Sequence, residues 1–563
     1  MGKQTNQNEK QSIWSQVDMK AFIPGLVILL VIVAVGVIAP SQFEAILATA
    51  LEWIMDHFKW LYILCVVAIV AFCLFLLCSK YGDIRLGGKH AKPSIKTSTW
   101  CTLSLTGTIA VGICFYSVSA PVEMFMNPPE FLGVEGGTTE AIIPTLKYCF
   151  LHYGLPPYFL ITVFALIIAL VYYNGKQPLR GGSTLYPLVG AKRSNGWAGN
   201  IINTLQIIAL IVCGTNMGLA VIQLNSGIGT VTGASGTPNF QIPIIIFYTL
   251  LTIFFACSGV HKSMGVLSNI NAICYFAIVI FVLLVGPTNR LLGLEFSSVG
   301  EFIRDFIPMI SFSDSIMQTG WQNSNTMYYF AWNIAPAFLH ALFFVSICYG
   351  RTLRQFILVN CIVPVGLVFT WYTTFGASAM ISILKGSDLY QQIQTYGDGV
   401  ATFAFLNNLP GGTILKWAFI VLAIMTFITF SDSIAFSFPM LMMKDTETDA
   451  AKTKTPKIFN VVVSVFMGVF TTILLYAGGY DALSQVMVVF AFPCVIAYLF
   501  ILASGVKFIF NRKKYDVTYQ EDLAEEEAEF KEKVRLAALE LQKEQQTEAQ
   551  ASKTKELEKA ASE

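Results

Sequence analysis

The sequence predicts an all-α, polytopic membrane protein with about twelve transmembrane helices. Of its 563 residues, 55% are hydrophobic and only 13% are charged, so the chain lacks the polar residues that a water-soluble globule of this size needs. Apolar runs of about 20 residues, the length that a helix needs to cross a bilayer, recur from residue 21 to residue 510. Lys and Arg concentrate after every second run, as expected for a chain that crosses a membrane repeatedly.

The apolar runs divide the chain into a cytoplasmic N-terminal segment at 1–20, a transmembrane domain at 21–510 and a charged tail at 511–563. The predicted spans are 21–39, 60–78, 100–119, 148–173, 199–224, 242–260, 267–286, 326–349, 356–380, 414–440, 458–478 and 485–510. The segment 288–313 is too charged to cross and is predicted to be an amphipathic surface helix. The tail, rich in Glu, Lys, Ala and Gln, predicts a solvated cytoplasmic helix that is either inert or regulatory, or contacts another subunit.

The basic residues predict the orientation. Lys80 to Lys96 follow the second span, and Arg351 and Arg354 follow the eighth, whereas the exit of the third span, at 123–140, is acidic. Short loops rich in Lys and Arg stay in the cytoplasm, so both termini are predicted to be cytoplasmic. We therefore expect a multi-pass protein of the cytoplasmic (inner) membrane, in contact with the lipid bilayer and without a nucleic-acid partner.

The sequence contains no arrangement of residues typical of catalysis or metal binding. The motifs HExxH, GxSxG and GxxxxGK[ST] are missing, the 5 His are scattered, and the 12 Cys form no CxxC or Cys/His cluster. We expect no enzyme activity, no catalytic residue, no metal site and no cofactor. What remains is a pathway through the bilayer, to be sought where polar or helix-breaking residues interrupt spans, because these cost free energy in lipid unless they line a cavity.

Three predicted spans carry such interruptions. The third has Thr106 in a Gly/Thr-rich centre, which can unwind so that backbone carbonyls face an ion or a solute. The tenth contains Thr429 and Asp432, and a carboxylate there indicates a role in the pathway or in pinning helices, or else a place at the cytoplasmic interface. The eighth carries Asn333 and His340, which are seven residues apart and so share a helix face.

Several stretches form a pattern that runs in order through the transmembrane domain. The eighth span reads NTMYYFAWNIAP at 325–336 and is followed by GRTLRQF at 350–356. The loop after the fourth span reads GKQPLRGGSTLYPLVG at 175–190, and the fifth span contains MGLAVIQLNSGI at 217–228. In these motifs the chain resembles the betaine/choline/carnitine transporter (BCCT) family, over most of residues 20–510.

The resemblance implies an inverted-repeat transporter core, with two extra N-terminal helices followed by five helices and an inverted copy of five. The repeats would cover approximately 100–286 and 326–510, bridged by the surface helix at 288–313. Family members are commonly trimers, so a homotrimer is expected. The implied function is secondary transport, by alternating access, of a small zwitterionic or quaternary amine: betaine, choline, carnitine or an amino-acid-like solute.

The family's aromatic box is altered in this chain. The positions implied to bind substrate hold Tyr153 and Tyr158 on the fourth span and Phe330, Trp332 and Asn333 on the eighth, where the family has more Trp. Each ring face stabilises a desolvated trimethylammonium by about 0.5–2 kcal/mol. Asn333 instead offers a donor and an acceptor, which suit N–H or hydroxyl groups. A less methylated zwitterion is therefore hypothesised, while the conventional substrates stay open because the Tyr residues could preserve the box.

The coupling ion is also open. The resemblance implies Na⁺ ligands at the backbone carbonyls of Thr106 and Ile109 and at the hydroxyl of Thr429, but Phe430 stands where a second hydroxyl is expected. Losing a hard oxygen ligand weakens a Na⁺ site, so H⁺ coupling, or substrate/product antiport without sodium, competes with Na⁺ symport. The alternatives from another class are an osmosensor and a channel, although a channel needs continuous polar rows rather than isolated polar centres.

Overall fold

Helices form nearly all of the chain in the computed structural model. It describes residues 17–108, 111–233, 238–257, 260–442 and 457–562, with the backbone alone for 108, 210–213, 238–239, 260–265, 432–433, 435–439 and 442. Across these ranges no β-strand forms, and the pairing of Arg85 with Thr352 is an isolated bridge. The prediction of an all-α fold is confirmed.

The first half of the chain runs from the N-terminal helices to the surface helix that ends near residue 311. Its α-helices are α1 (Met19–Ile38), α2 (Pro40–Cys78), α3 (Thr97–Thr108), α4 (Val111–Met126), α5 (Ile142–Tyr153), α6 (Leu155–Ala169), α7 (Tyr186–Val189), α8 (Ala191–Ser194), α9 (Trp197–Ile208), α10 (Leu210–Thr232), α11 (Pro238–Cys257), α12 (Val260–Val285) and α13 (Thr288–Ser311). The helix α13 occupies the segment for which the sequence predicts an amphipathic helix. It buries one face, including Leu291, Phe302 and Phe306, and exposes Phe296 and Ile303 on the other.

The second half begins with a π-helical turn at Asn323–Met327 that leads directly into α14. The α-helices are α14 (Tyr328–Ile347), α15 (Leu353–Ile357), α16 (Val363–Tyr372), α17 (Ser378–Leu384), α18 (Leu389–Tyr396), α19 (Ala401–Asn407), α20 (Gly412–Met442), α21 (Lys457–Phe510), α22 (Arg512–Tyr515) and α23 (Val517–Ser562). Two more π-helical turns, Leu358–Ile362 and Thr373–Ala377, interrupt the helix that follows α14. Such turns are rare in proteins and are frequent beside functional sites.

The polytopic class is confirmed by the length and composition of the helices. Within the described residues, nine helical segments are long and apolar enough to cross a membrane, or ten if α3 and α4, bent by 58°, form one span. The 54-residue α21 joins the two last predicted spans across non-helical backbone at Gly478 and Gly479. The fifth predicted span, 199–224, is divided between α9 and α10 and is not among the nine. The number of crossings and the inverted repeat stay predictions.

Two helix breaks and one proline inside a helix lie around one interior region. The bend between α3 and α4 precedes Gly112, the helix α14 contains Pro336, and Tyr480 directly follows the break at Gly478 and Gly479. Around them α14 packs along α6, α20 and α21, while α4 packs on α5 and α10. Breaks of this kind free backbone groups that, inside a membrane, need a cavity or protein partners.

The basic segment after α14 ties that helix to the connection between α2 and α3. The guanidinium of Arg354 donates to the carbonyl oxygens of Leu77 (3.0 Å) and Ser79 (2.8 Å) and to the carboxylate of Asp83 (2.6 Å). Arg351 donates to a carbonyl of the same connection and to a hydroxyl at the start of α3, and it covers a Trp ring of α3. These bonds fix one end of α14.

The C-terminal helix α23 is exposed along nearly its whole length and is anchored at its base. The buried carboxylate of Asp516 accepts hydrogen bonds from Arg512 (2.9 Å), Thr518 (2.7 Å) and Asn174 (3.4 Å). Further along, Lys89 pairs with Glu526 at 3.3 Å. The base of the tail therefore lies on the same side of the bundle as the basic connections, and the role of the tail stays a prediction.

Candidate functional site

An interior cavity of about 50 Å³, called here the inner cavity, lies where these helices meet. Its lining residues are Gly112, Ile113, Tyr116, Tyr153, Pro157, Tyr158, Ile161, Asn216, Tyr329, Trp332, Asn333, Pro336, His340 and Phe430. From Tyr329 to His340 the wall formed by α14 is about 16 Å long, at the helical rise of about 1.5 Å per residue. No Asp, Glu, Lys or Arg is among the described residues that line it.

A second, wider cavity of about 440 Å³, called here the vestibule, lies at the other end of α14 from Arg351. Tyr116, Tyr153 and Tyr329 line both cavities and so form a partition between them. The Tyr153 hydroxyl donates to the Tyr329 hydroxyl at 2.6 Å, and the ring of Tyr116 lies 5.7 Å from that of Tyr153. The hydroxyl of Tyr116 is hydrogen-bonded to that of Tyr480, beside the break in α21. Four helices therefore meet at this tyrosine partition.

The partition is supported by His152 from the vestibule side. The imidazole of His152 stacks on the Tyr329 ring with a centroid distance of 4.6 Å. Its Nε2 is hydrogen-bonded to the hydroxyl of Thr326 at 3.1 Å, in the π-helical turn before α14. A ring held in place by both stacking and a hydrogen bond orients its neighbour more firmly than packing alone.

Asn333 faces the inner cavity one helical turn beyond the partition. Its Nδ2 donates to the backbone carbonyl of Tyr329 at 2.6 Å. Only the amide NH₂ can donate to a carbonyl, so this contact identifies which side-chain atom is nitrogen. The remaining atom, Oδ1, is an acceptor, and the hydrogen bond found for this side chain among the described residues leaves it unused.

His340 supplies a second acceptor at the opposite end of the inner cavity. Its Nδ1 bonds the carbonyl of Pro336 at 2.9 Å, and because a carbonyl only accepts, Nδ1 carries the proton. In the neutral ring Nε2 then carries a lone pair and can accept a hydrogen bond. Pro336 has no N–H, so the Trp332 carbonyl also loses its usual helical donor. This part of α14 is therefore rich in acceptors.

The predicted substrate residues Tyr153, Tyr158, Trp332 and Asn333 all line the inner cavity, together with His340, which was predicted as a polar pathway residue. The fifth predicted substrate residue, Phe330, is fully buried and is not one of the described lining residues. Asp432 belongs to α20, but its side chain lies outside the described part of the chain.

Of the residues implied to bind Na⁺, Thr106 and Thr429 are not among the described residues that line the inner cavity. The Thr106 hydroxyl donates to the carbonyl of Thr102 at 2.9 Å. The Thr429 hydroxyl donates to the carbonyl of Thr426 at 3.0 Å and accepts from Nδ2 of the buried Asn271 at 3.2 Å. A positive N–H dipole aimed at this oxygen repels a cation and occupies one of its two lone pairs. The third implied ligand, Ile109, lies outside the described residues.

Sequence reasoning missed Tyr116, Asn216 and Tyr480. An available signal was the helix-breaking Gly-Gly pair before Tyr480, which resembles the Gly/Thr-rich centre that drew attention to the third span. Asn216 had a similar signal, since it is an amide inside an apolar span. The pairing of Tyr116 with Tyr480 joins residues 364 positions apart, and nothing local in the sequence indicates it.

A bundle that crosses the membrane repeatedly, with an interior cavity whose described lining is uncharged and which an aromatic partition separates from a vestibule, has the architecture of a solute transporter. The family model for BCCT, the betaine/carnitine/choline family transporters, matches residues 20–514. The chain belongs to this family, and the protein is a membrane transporter and not an enzyme.

The chain is similar to several characterised transporters. The glycine betaine transporter OpuD of Bacillus subtilis is 30% identical over 474 residues, which cover 83% of this chain and 90% of the relative. Glycine betaine transporter 1 of Vibrio parahaemolyticus is 32% identical over 458 residues, covering 80% and 85%. The ectoine/hydroxyectoine transporter of Virgibacillus pantothenticus is 25% identical over 501 residues, covering 89% and 98%.

Proposed function

We propose that this transporter carries a net-neutral zwitterionic amine whose nitrogen bears N–H groups, such as a less methylated relative of betaine. It moves this solute by alternating access between two inverted repeats. Both termini are cytoplasmic, so the vestibule opens to the outside, and the working unit is a homotrimer. The composition of the inner cavity supports the proposed solute, and membership of the family supports transport as the function.

The absence of charged groups from the described lining favours a solute without net charge. A net cation such as choline would enter this cavity without a counter-ion, and burying an unpaired charge is costly. A zwitterion brings its own counter-charge. Its ammonium end can lie against the rings of Tyr153, Tyr158 and Trp332, which stabilise cations through their faces.

The acceptors on α14 favour a nitrogen that bears hydrogen. Oδ1 of Asn333 and Nε2 of His340 both have lone pairs available to the cavity. A trimethylammonium group has no N–H to offer them, and polar atoms left without partners beside a bound ligand reduce its affinity. The similar transporter of Virgibacillus pantothenticus is named for ectoine and hydroxyectoine. Ectoine is a zwitterion with N–H groups and without a trimethylammonium group, so the family accommodates this chemistry.

Uptake into proteoliposomes tests the choice of solute. Glycine betaine, dimethylglycine, sarcosine, ectoine, choline and carnitine compete against a radiolabelled member of the set. We expect N–H-bearing zwitterions to compete best and choline worst. High-affinity uptake of betaine, choline or carnitine, with methylated amines preferred over primary ones, would instead assign the conventional substrates, which the ring-lined cavity also favours.

Asn333→Leu sharpens this test because it removes the amide with little change of volume. Uptake of the N–H-bearing solute should fall about 10- to 150-fold, since one hydrogen bond to a charged donor contributes about 1.5–3 kcal/mol, while uptake of betaine should change little. Asn408→Leu, at an exposed position outside the cavity, is the matched control. Equal losses for both solutes would mean that Asn333 supports the structure rather than selecting the solute.

We further propose that transport does not require sodium. Asn271 donates to the Thr429 hydroxyl, and Phe430 stands where a second hydroxyl is expected. Few hard oxygen ligands are then left to bind Na⁺. Proton coupling and substrate/product exchange are the remaining modes. We expect full uptake when K⁺ replaces Na⁺ on both sides of the membrane, and a strict requirement for Na⁺ would overturn this proposal.

A further inference from the structure

Three side chains of metal-binding type converge where the first turns of α23 approach the connection between α2 and α3. His90 lies in that connection, while Asp522 and Glu525 are three residues apart on α23 and so share a helix face. One ligand atom from each side chain lies within 4.8 Å of the other two. Nε2 of His90 is hydrogen-bonded to a carboxylate oxygen of Glu525 at 2.9 Å. These three residues are called here the His–carboxylate cluster.

A single buried amide, that of Asn174, holds both of the segments that carry the cluster. Its Oδ1 accepts the backbone N–H of Gly87 at 3.0 Å, and its Nδ2 donates to the Thr518 hydroxyl at 3.0 Å. Gly87 lies three residues before His90, and Thr518 lies four residues before Asp522. The fold itself therefore positions the ligand atoms, which is the condition for a preorganised binding site.

Negative charge is in excess beside the cluster. The ammonium of Lys89 pairs with Glu526 at 3.3 Å. The hydrogen bond to Glu526 and its charge, and then the charges of Glu525 and Glu529, raise the pKa of Lys89. Carboxylates are common in the first turns of helices because they complement the helix dipole. Here several of them surround one ammonium, and a divalent cation would neutralise the remaining charge.

We propose that the His–carboxylate cluster binds a divalent transition metal of the Zn²⁺ class, which joins the base of the C-terminal helix to the connection between α2 and α3. His90, Asp522 and Glu525 supply three ligands, and water completes the coordination. The sequence predicts no metal site because His90 and Glu525 are 435 positions apart, and local spacing cannot show ligands that meet from distant segments. The proposal goes beyond the proposed function and does not depend on the solute or on the coupling mode.

The ligand atoms select the class of metal. Imidazole nitrogen and carboxylate oxygen together suit Zn²⁺ and similar transition metals, whereas Mg²⁺ and Ca²⁺ prefer oxygen alone. Tetrahedral ligands about 2.1 Å from an ion are about 3.4 Å apart, so small side-chain rotations convert separations of at most 4.8 Å into a coordination shell. The ion takes the place of the proton between His90 and Glu525, and that proton moves to Nδ1 of the neutral ring or to water.

Zn²⁺ binding is measured by isothermal titration calorimetry on the full-length protein in nanodiscs, without an affinity tag and after treatment with a chelator. We expect His90→Gln and Glu525→Gln each to weaken binding about tenfold or more, since removing even a residue that only supports a metal ligand costs about 10–100-fold. His57→Gln and Glu540→Gln are the matched controls, because they change an exposed His and an exposed Glu outside the cluster. Both controls should bind Zn²⁺ like the wild type.

Hydrogen–deuterium exchange follows the joining of the two segments. With Zn²⁺ the backbone amides of residues 517–530 should exchange more slowly in the wild type but not in His90→Gln, because the ion binds only when α23 lies against the connection. Mg²⁺ at the same concentration should give no such protection. Equal protection by Mg²⁺ in the wild type and in His90→Gln would mean that carboxylates alone hold a hard cation, and it would overturn the proposal.

The side chains of His90 and Glu525 are 70% and 50% exposed, so the two substitutions should leave the fold intact. Equal Zn²⁺ affinities of the wild type, His90→Gln and His57→Gln would refute the metal site and leave only a hydrogen bond between His90 and Glu525. The uptake assays test the solute and the coupling mode, so their outcome is separate from this one.

Discussion

The hydroxyl pair in the tyrosine partition gives the most direct test of how the inner cavity is closed. Tyr153→Phe removes the hydroxyl that donates to Tyr329 at 2.6 Å and leaves the ring contacts with Tyr116 and Tyr329 in place. A single neutral hydrogen bond contributes about 0.5–1.5 kcal/mol net. If the bond exists only while the partition is closed, its loss should raise the population of the open state about two- to twelvefold.

The opening is measured as the accessibility of the inner cavity from the vestibule. Ile161 lines the inner cavity but not the vestibule, so Ile161→Cys reports on passage through the partition. Cys149 lines the vestibule and is replaced by Ser in all variants. A membrane-impermeant thiol reagent is applied, and the rate of modification at position 161 is followed by peptide mass spectrometry. We expect Tyr153→Phe to raise this rate by the factor given above.

Tyr396→Phe is the matched control, since Tyr396 is exposed and lies outside both cavities. Its modification rate should equal that of the parent. If Tyr153→Phe also matched the parent, the hydroxyl pair would not hold the partition closed, and the reasoning from the 2.6 Å contact would be refuted.

Two further predictions concern stability. Arg354→Lys should lower the free energy of unfolding by about 1–3 kcal/mol, because an ammonium cannot reproduce the forked guanidinium that bonds two carbonyls. Asp83→Asn should lower it by less than about 1 kcal/mol, since the ion pair between Arg354 and Asp83 is exposed. Comparable losses in thermal unfolding of the two variants would contradict this ranking. Asn271→Leu should stay within about 1 kcal/mol of the wild type, because it removes one hydrogen bond to Thr429 together with a buried Oδ1 that has no partner among the described residues. A loss well above that value in the same assay would show that Asn271 holds α12 to α20 through more than this bond.

Hydrophobic patterning predicts helices well where lipid requires apolar residues and less well where it does not. The predicted span 21–39 is close to α1, Met19–Ile38. The predicted span 60–78 covers only half of α2, which begins at Pro40. The first half of α2 contains Glu44, Glu52 and Asp56, and these charges end a hydropathy-based span although they do not break a helix.

The same limit separates the lining residues that were predicted from those that were missed. Asn333 and His340 lie seven residues apart on one continuous helix, so their spacing alone places them on one wall. The tyrosine partition is assembled from α4, α5, α14 and α21, and its geometry depends on how distant helices pack. Helix periodicity contains no information about that packing. The family resemblance located only those lining residues that fall within the family's sequence motifs.

The replacement of a ring by Asn333 has a further consequence that follows from the helix itself. In an α-helix the carbonyl of Tyr329 already accepts the backbone N–H of residue 333, and here it also accepts Nδ2 of the same residue at 2.6 Å. Both lone pairs of that carbonyl are then used. Turning the amide would place Oδ1, which only accepts, against the carbonyl oxygen and would break this bond. The side chain is held with Oδ1, an acceptor, and the second N–H of Nδ2 as the groups left to meet a solute. An acceptor fixed in this way loses little entropy on binding, so we expect this one residue to discriminate by hydrogen bonding where a ring would discriminate by its face.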